Sequence, residues 1–347
     1  MTGAPSTANG EREARRRRWK AWALVIAIAV AVAVIAVTAL APIDIQAAGG
    51  PGSRSDQVRA KQTAKTSPHR AGESTQPAPL PPYPVEDETI TLIDPSRNTP
   101  ARGDVPAVAG RLLVTVIRRP VGPIGPLPLV VFAHGWDSDP GKYETLLDAW
   151  AAAGYLVAAP TFPDSADTLP GTPVSNYPDQ ARDISFVISS LLGGRAGPVD
   201  PTRVAVAGHS DGGTDVALLA LNPAFVDSRI RAYLCLAGEI PPNVPGPWTT
   251  PTVGALLVAV GTDDEYGLLP KSTEVFQAAD VAAKVMLTVA GGDHLGTFIG
   301  ASPAAAAMRT ETVRFLDTAL GPGGTTSVDL ASALSPTDDP AIALSAA

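Results

Sequence analysis

The chain has 347 residues, 45% of them hydrophobic, enough to bury a large core, so a wholly disordered or collagen-like protein is excluded. Its formal net charge of -8 argues against a general nucleic-acid binder, because attraction to phosphate needs a basic face; no nucleic-acid partner is expected. The single cysteine, Cys235, rules out an intrachain disulfide, and with only four histidines beside it neither a metal cluster nor another cofactor is expected.

Residues 1–20 end in a basic run, Arg15 to Arg18 and Lys20, and residues 21–41 then pass without one charge. At about 1.5 Å per residue, such a run crosses a hydrocarbon core of about 30 Å as a helix. The basic flank precedes it, so 1–20 is expected as a cytoplasmic tail and 21–41 as a single-pass signal anchor in the cytoplasmic membrane, with the rest of the chain outside. A cleaved signal peptide, giving a secreted protein, is the alternative, although its apolar stretch is usually about 7 to 15 residues. The small-residue site Ala39-Leu40-Ala41 is followed by Pro42, a poor residue to cut before. Residues 42–85 are rich in Pro, Ser and Gln without apolar periodicity, and are expected as a disordered linker. His69 falls within it.

From residue 86 to 322 the texture is that of a folded domain. Strands are expected at 88–93, 111–117 and 129–133, the last apolar throughout, as in a strand buried on both faces. A helix over Tyr143 to Ala153 stops at Gly154, and a strand follows over Tyr155 to Ala159. Next come a helix at 179–192, a strand at 204–207, a helix at 214–221 and strands at 232–237 and 256–260. Residues 275–279 read as helix, 284–289 as strand and 303–320 as a closing helix. This alternation implies an α/β fold with a mainly parallel sheet covered on both faces, whose site lies beyond the carboxyl ends of the strands. Residues 323–347 return to small and polar types and are expected as a disordered tail.

Gly208-His209-Ser210-Asp211-Gly212 fits G-x-S-x-G, directly after one expected strand and before a helix. In that context Ser210 is the candidate nucleophile, with a helix-capping serine in a glycine-rich turn as the plain alternative. A serine needs a base. His69 lies in the linker, His134 precedes a glycine at a strand end, and His209 adjoins the serine and must point elsewhere, which leaves His294 in Gly291-Gly292-Asp293-His294. The histidine in turn needs a carboxylate. Asp264, third after the glycine ending the 256–260 strand, is favoured; Asp263 and Glu239 remain alternatives. Backbone N–H groups of Asp211 and Trp136 are the candidate oxyanion donors.

PLVVFAHGW, VAVAGHSDGG, GTDDEY and GGDH resemble the strand-end motifs of the α/β-hydrolase superfamily over about residues 86 to 322. Asp94-Pro95-Ser96-Arg97, RLLVTVIRRP and DQARDISFVISSLL add a likeness to the branch of platelet-activating-factor acetylhydrolase-like, dienelactone-hydrolase-like and chlorophyllase-like esterases. The resemblance implies an α/β-hydrolase fold, ester hydrolysis without a metal, and the same assignment of Ser210, His294, Trp136 and Asp211. Asp211 departs from the aromatic or Met often found there, and the acid placement of some acetylhydrolase relatives keeps Glu239 in view.

The leading expectation is therefore an outward-facing serine esterase, of lipase type, acting on a small-molecule or lipid ester. A peptidase or acyltransferase on the same triad is one alternative and a non-catalytic binding protein on this fold is another. Without a long insertion a large lid is not expected, and Phe162, Tyr177 and Trp248 are candidate cleft walls.

Overall fold

The computed structural model describes residues 82–249, 252–321, 325–334 and 342–346. The basic tail, the apolar 21–41 segment and nearly all of the linker lie outside the described residues. Among the described residues, no helix is long and apolar enough to cross a membrane.

The apolar runs become the middle of a nine-stranded sheet. In chain order the elements are β1 (Val85–Asp94), β2 (Arg111–Pro120), β3 (Leu127–Ala133), α1 (Glu144–Ala152), β4 (Leu156–Thr161), α2 (Tyr177–Leu192) and β5 (Val199–His209). Then follow α3 (Asp211–Leu221), β6 (Ile230–Leu236), β7 (Thr252–Gly261), α4 (Leu268–Ala278), β8 (Val281–Val289), α5 (Pro303–Ala319), α6 (Ser327–Ala333) and β9 (Ile342–Ala346). The strand order is β1-β2-β4-β3-β5-β6-β7-β8-β9. From β4 through β3 to β8 neighbours are parallel; β1, β2 and β9 are antiparallel additions at the two sides.

Burial follows position in the sheet. Leu129 to Ala133 of β3 are wholly buried, whereas β2 alternates buried with half-buried residues, as a strand with one wetter face does. The chain steps from β3 to β4 in one direction and from β5 to β8 in the other. Right-handed crossovers therefore put α1 on one face and α2, α3 and α4 on the opposite one. The α5 helix joins α1, to which it is tied by Trp150 Nε1 donating to Thr312 Oγ1 at 2.9 Å. The reversal places β3 and β5 side by side, Ala133 opposite Gly208, and it opens the crevice in which such sheets hold their sites.

A buried ionic network fixes the β4–α2 loop. Arg111, fully buried at the start of β2, bonds Asp183 on α2 through Nε and Nη2 at 2.9 and 2.7 Å and reaches Asp164 at 2.6 Å. Burial works against its charge, but the two carboxylates outweigh it and raise the guanidinium's pKa. Arg97 adds a second cation on Asp183 at 2.6 Å. Removing one partner would leave an uncompensated buried charge, at a cost of about 3–5 kcal/mol.

Three differences from expectation concern the limits of the domain and the turn of Asp264. The first strand begins at Val85, inside the stretch read as linker, and Tyr83 already donates its N–H to Ala152 O at 2.8 Å. The region from 323 on, expected as a disordered tail, contains α6 and β9. A capping box at Thr326 and Asp329 starts α6, and β9 pairs with the otherwise open edge of β8. The helix expected at 275–279 runs from Leu268, because it starts directly after the turn that holds Asp264.

Candidate active site

The β5 strand ends at His209 and α3 begins at Asp211, so one residue makes the bend. Ser210 has φ 59° and ψ -122°, a strained conformation for a residue with a side chain. The surroundings leave no room for another path. A Cβ on Gly208 would lie 2.1 Å from Gly212 O, and one on Gly212 would lie 2.0 Å from Ala133 O. The N–H of Ser210 donates to Leu236 O at 2.9 Å, fastening the bend to β6.

His294 lies in the loop after β8. Its Nδ1 is 2.7 Å from Asp264 Oδ2, and both side chains are buried. The other carboxylate oxygen of Asp264 accepts from the N–H of Tyr266 at 3.0 Å and, more weakly, from that of Leu268 at 3.5 Å. An ionised carboxylate only accepts, so the proton sits on His294 Nδ1 and Nε2 is left with its lone pair. The His294 N–H donates to Glu265 Oε2 at 3.0 Å, and Tyr266 meets the ring edge-on at 4.7 Å.

His209, the residue before Ser210, contacts the histidine directly. The two imidazoles are 4.6 Å apart between centroids, and His209 Nε2 lies 2.9 Å from the carbonyl of His294. Among the described residues, Ser210 Oγ makes no hydrogen bond to His294; such bonds are commonly long until substrate is bound. The loop after β3 packs over the same place, since a Cβ on Gly135 would lie 3.1 Å from Ser210 Cβ. Among the described residues, the N–H groups of Trp136 and Asp211 have no intramolecular acceptor.

The other candidates have different employment. Asp263 is exposed and accepts from Thr262 Oγ1 at 3.1 Å. Glu239 pairs with Lys271 at 2.7 Å, and neither it nor Asp263 bonds His294. The carboxylate of Asp211 accepts from Ser175 Oγ and, at 3.1 Å, from Tyr177 Oη; burial pushes its pKa up against those bonds. His134 is fully buried, takes the N–H of Phe162 on Nε2 at 3.0 Å and is pushed down to about 4 by burial, so it stays neutral.

Of the expected walls, Phe162 is fully buried and packs on His134 as core, Tyr177 is engaged with Asp211, and Trp248 is half-buried. The exposed apolar surface at this end comes instead from Trp136, Val174, Tyr266 and Leu295, each at least half exposed, on the loops after β3, β4, β7 and β8. A cavity of about 750 Å³ lies at the opposite, amino-terminal ends of the strands, lined by Pro128, Tyr155, Arg203, Arg231 and Asp317; none of these adjoins Ser210. Tyr143, Ser175 and the structural use of His209 were not singled out by sequence reasoning. Only the position of His209 beside Ser210 hinted at a role.

A serine on a strained strand-to-helix bend, a histidine–carboxylate pair after later strands and a sheet with this reversal are the arrangement of the α/β-hydrolase fold. The chlorophyllase family model matches residues 104–238, covering β2 to the end of β6. Among solved structures, the ferulic acid esterase from Streptomyces cinnamoneus is similar with a TM-score of 0.59 at 20% sequence identity, covering 79% of this chain and 98% of that one. No curated protein matches the chain. The first likeness covers part of the chain, and the second is one of fold.

Proposed function

We propose that the chain is a serine hydrolase of carboxylic esters, with Ser210 as nucleophile, His294 as base and Asp264 as its orienting acid. The observation that carries this reading is the pairing of an elbow serine with a buried His294–Asp264 pair whose free Nε2 is the nitrogen available to a hydroxyl. In acylation, Ser210 Oγ attacks the ester carbonyl carbon and passes its proton to His294 Nε2. The resulting oxyanion accepts from the Trp136 and Asp211 N–H groups. Collapse breaks the bond to the alcohol oxygen, which leaves with the proton from His294. Water activated by the same histidine then attacks the acyl-serine and releases the acid.

The chlorophyllase match and the ferulic acid esterase likeness favour ester over peptide substrates, and the apolar rim favours a small-molecule or lipid ester with a bulky apolar portion. Steady-state hydrolysis of p-nitrophenyl esters from acetate to palmitate by the full chain tests this, with Ser210→Ala as control. Absence of turnover on every ester, or undiminished turnover in Ser210→Ala, would refute it.

The location we propose is the outer side of the cytoplasmic membrane, through the uncharged 21–41 segment behind its basic flank. Cell fractionation with protease added from outside tests it. Full-length chain in the membrane, degraded from outside, is the expected result; a shortened form released to the medium would mean a cleaved signal peptide.

A further inference from the structure

Three buried groups connect the loop over Ser210 to the loop of His294. The N–H of Gly135 points at Tyr143 Oη at 3.3 Å, Tyr143 Oη lies 2.9 Å from His209 Nδ1, and His209 Nε2 lies 2.9 Å from His294 O. The direction of each bond is fixed by chemistry. A carbonyl oxygen only accepts, so His209 carries its proton on Nε2; its Nδ1 is then bare and takes the Tyr143 hydroxyl proton; the tyrosine oxygen keeps a lone pair for Gly135. Every donor has an acceptor in one sense only.

We propose that Tyr143 and His209 are positioning residues, which lock the oxyanion loop and the base loop into one rigid unit about Ser210. This rests on the esterase reading above and adds two residues to it. The packing leaves little slack: a Cβ on Gly135 would meet Ser210 Cβ at 3.1 Å and Tyr143 Oη at 3.4 Å, and His209 is held between His294 and Phe298 with ring centroids at 4.6 and 5.0 Å. His294 is thus gripped at its ring by Asp264, at its N–H by Glu265 and at its carbonyl by His209. Burial first, and the neighbouring His294 second, push His209 down to about 3. It therefore stays neutral, with the same tautomer, while His294 gains and loses a proton. Trp136, whose N–H is the candidate oxyanion donor, directly follows Gly135 in the chain.

Nitrogen-15 NMR of the histidines of the full chain tests the link first, without any substitution. His209 is expected as the neutral Nε2–H tautomer from pH 5 to 9; an Nδ1–H or titrating His209 would overturn the proposal. In Tyr143→Phe, His209 is expected to keep its proton on Nε2, still held by the His294 carbonyl, while the nitrogen-15 shift of Nδ1 moves to that of an unbonded lone pair; kcat should fall about 10- to 100-fold while KM stays within about twofold, the signature of misplaced rather than missing groups. His209→Gln, whose amide nitrogen can still donate to the His294 carbonyl, is expected to keep at least about tenfold more activity than His209→Ala. Wild-type kcat in Tyr143→Phe, alongside an inactive Ser210→Ala, would refute the link and leave the esterase reading standing. Activity unchanged in Ser210→Ala would refute the esterase reading, and the tautomer measurement would still judge the link.

Discussion

Replacing Asp264 with Asn changes one atom, and the structure says which way the new amide must face. Oδ1 of Asp264 accepts from the N–H groups of Tyr266 and Leu268, so the amide oxygen of the variant is drawn to that side. Its NH2 group then faces His294 Nδ1, where the carboxylate oxygen stood at 2.7 Å. A donor there forces the histidine to present a lone pair at Nδ1 and to carry its proton on Nε2, the nitrogen needed as base. The variant loses both the correct tautomer and the countercharge to the imidazolium. A loss in kcat of about 10³- to 10⁴-fold is expected, or about 4–5.5 kcal/mol of activation free energy. Stopped assays on p-nitrophenyl butyrate would measure it, with circular dichroism to check the fold. A loss below about tenfold, or a crippling loss in Glu239→Gln instead, would refute the assignment of the acid.

Ser210→Ala should leave the fold intact and lower ester turnover by about 10⁴-fold or more; retention of turnover would refute the nucleophile. Glu239→Gln removes only the half-exposed pair with Lys271, and we expect kcat within a few-fold of wild type on the same esters. Gly212→Ala puts a methyl 2.0 Å from Ala133 O, so soluble, active protein should be lost; normal expression with wild-type turnover would contradict the elbow geometry. Asp215 is fully buried, and among the described residues neither of its carboxyl oxygens has a hydrogen-bond partner. Burial, then the charges of Asp211 and Asp183, push its pKa well above the ordinary range. With the folded pKa raised, the unfolded chain releases this proton first, so stability falls as pH rises from about 4 towards the folded value. Urea midpoints at pH 5 and pH 8 should show Asp215→Asn more stable than wild type, by a margin that grows with pH; an equal loss at both pH values would contradict this.

The parts of the fold that the sequence made legible were those where one physical demand dominates. A run such as Leu129 to Ala133 has no polar face to offer, so it could only be a strand covered on both sides, and the glycines around Ser210 fit only where backbones nearly touch. The choice among Asp264, Asp263 and Glu239 was harder, because adjacent residues in a turn differ in side-chain direction and composition does not encode direction. Phe162 was taken as a cleft wall for being aromatic in a loop, yet it stands one residue past β4 and points into the core against His134. The segment after 322 was misjudged for a similar reason. Its small residues signal little by themselves, and β9 exists because the edge of β8 supplies partners.

Two departures from comfortable packing meet on α3, and they differ in kind. Ser210, just before its first turn, sits in a backbone conformation that costs about 1–3 kcal/mol, and the Gly208 and Gly212 contacts with neighbouring backbone hold it there. The proposed mechanism requires Oγ to face His294 and the N–H groups of Trp136 and Asp211, so on that mechanism relaxing the bend should cost turnover. Asp215, one turn further along the same helix, is buried and has no hydrogen-bond partner among the described residues, but it is not among the groups that the proposed mechanism uses. Its neutralisation should therefore raise stability with kcat unchanged. If Asp215→Asn instead lowers kcat while stability rises, the buried acid is coupled to the elbow, and Asp211, whose charge raises the Asp215 pKa, is the residue through which that coupling would run.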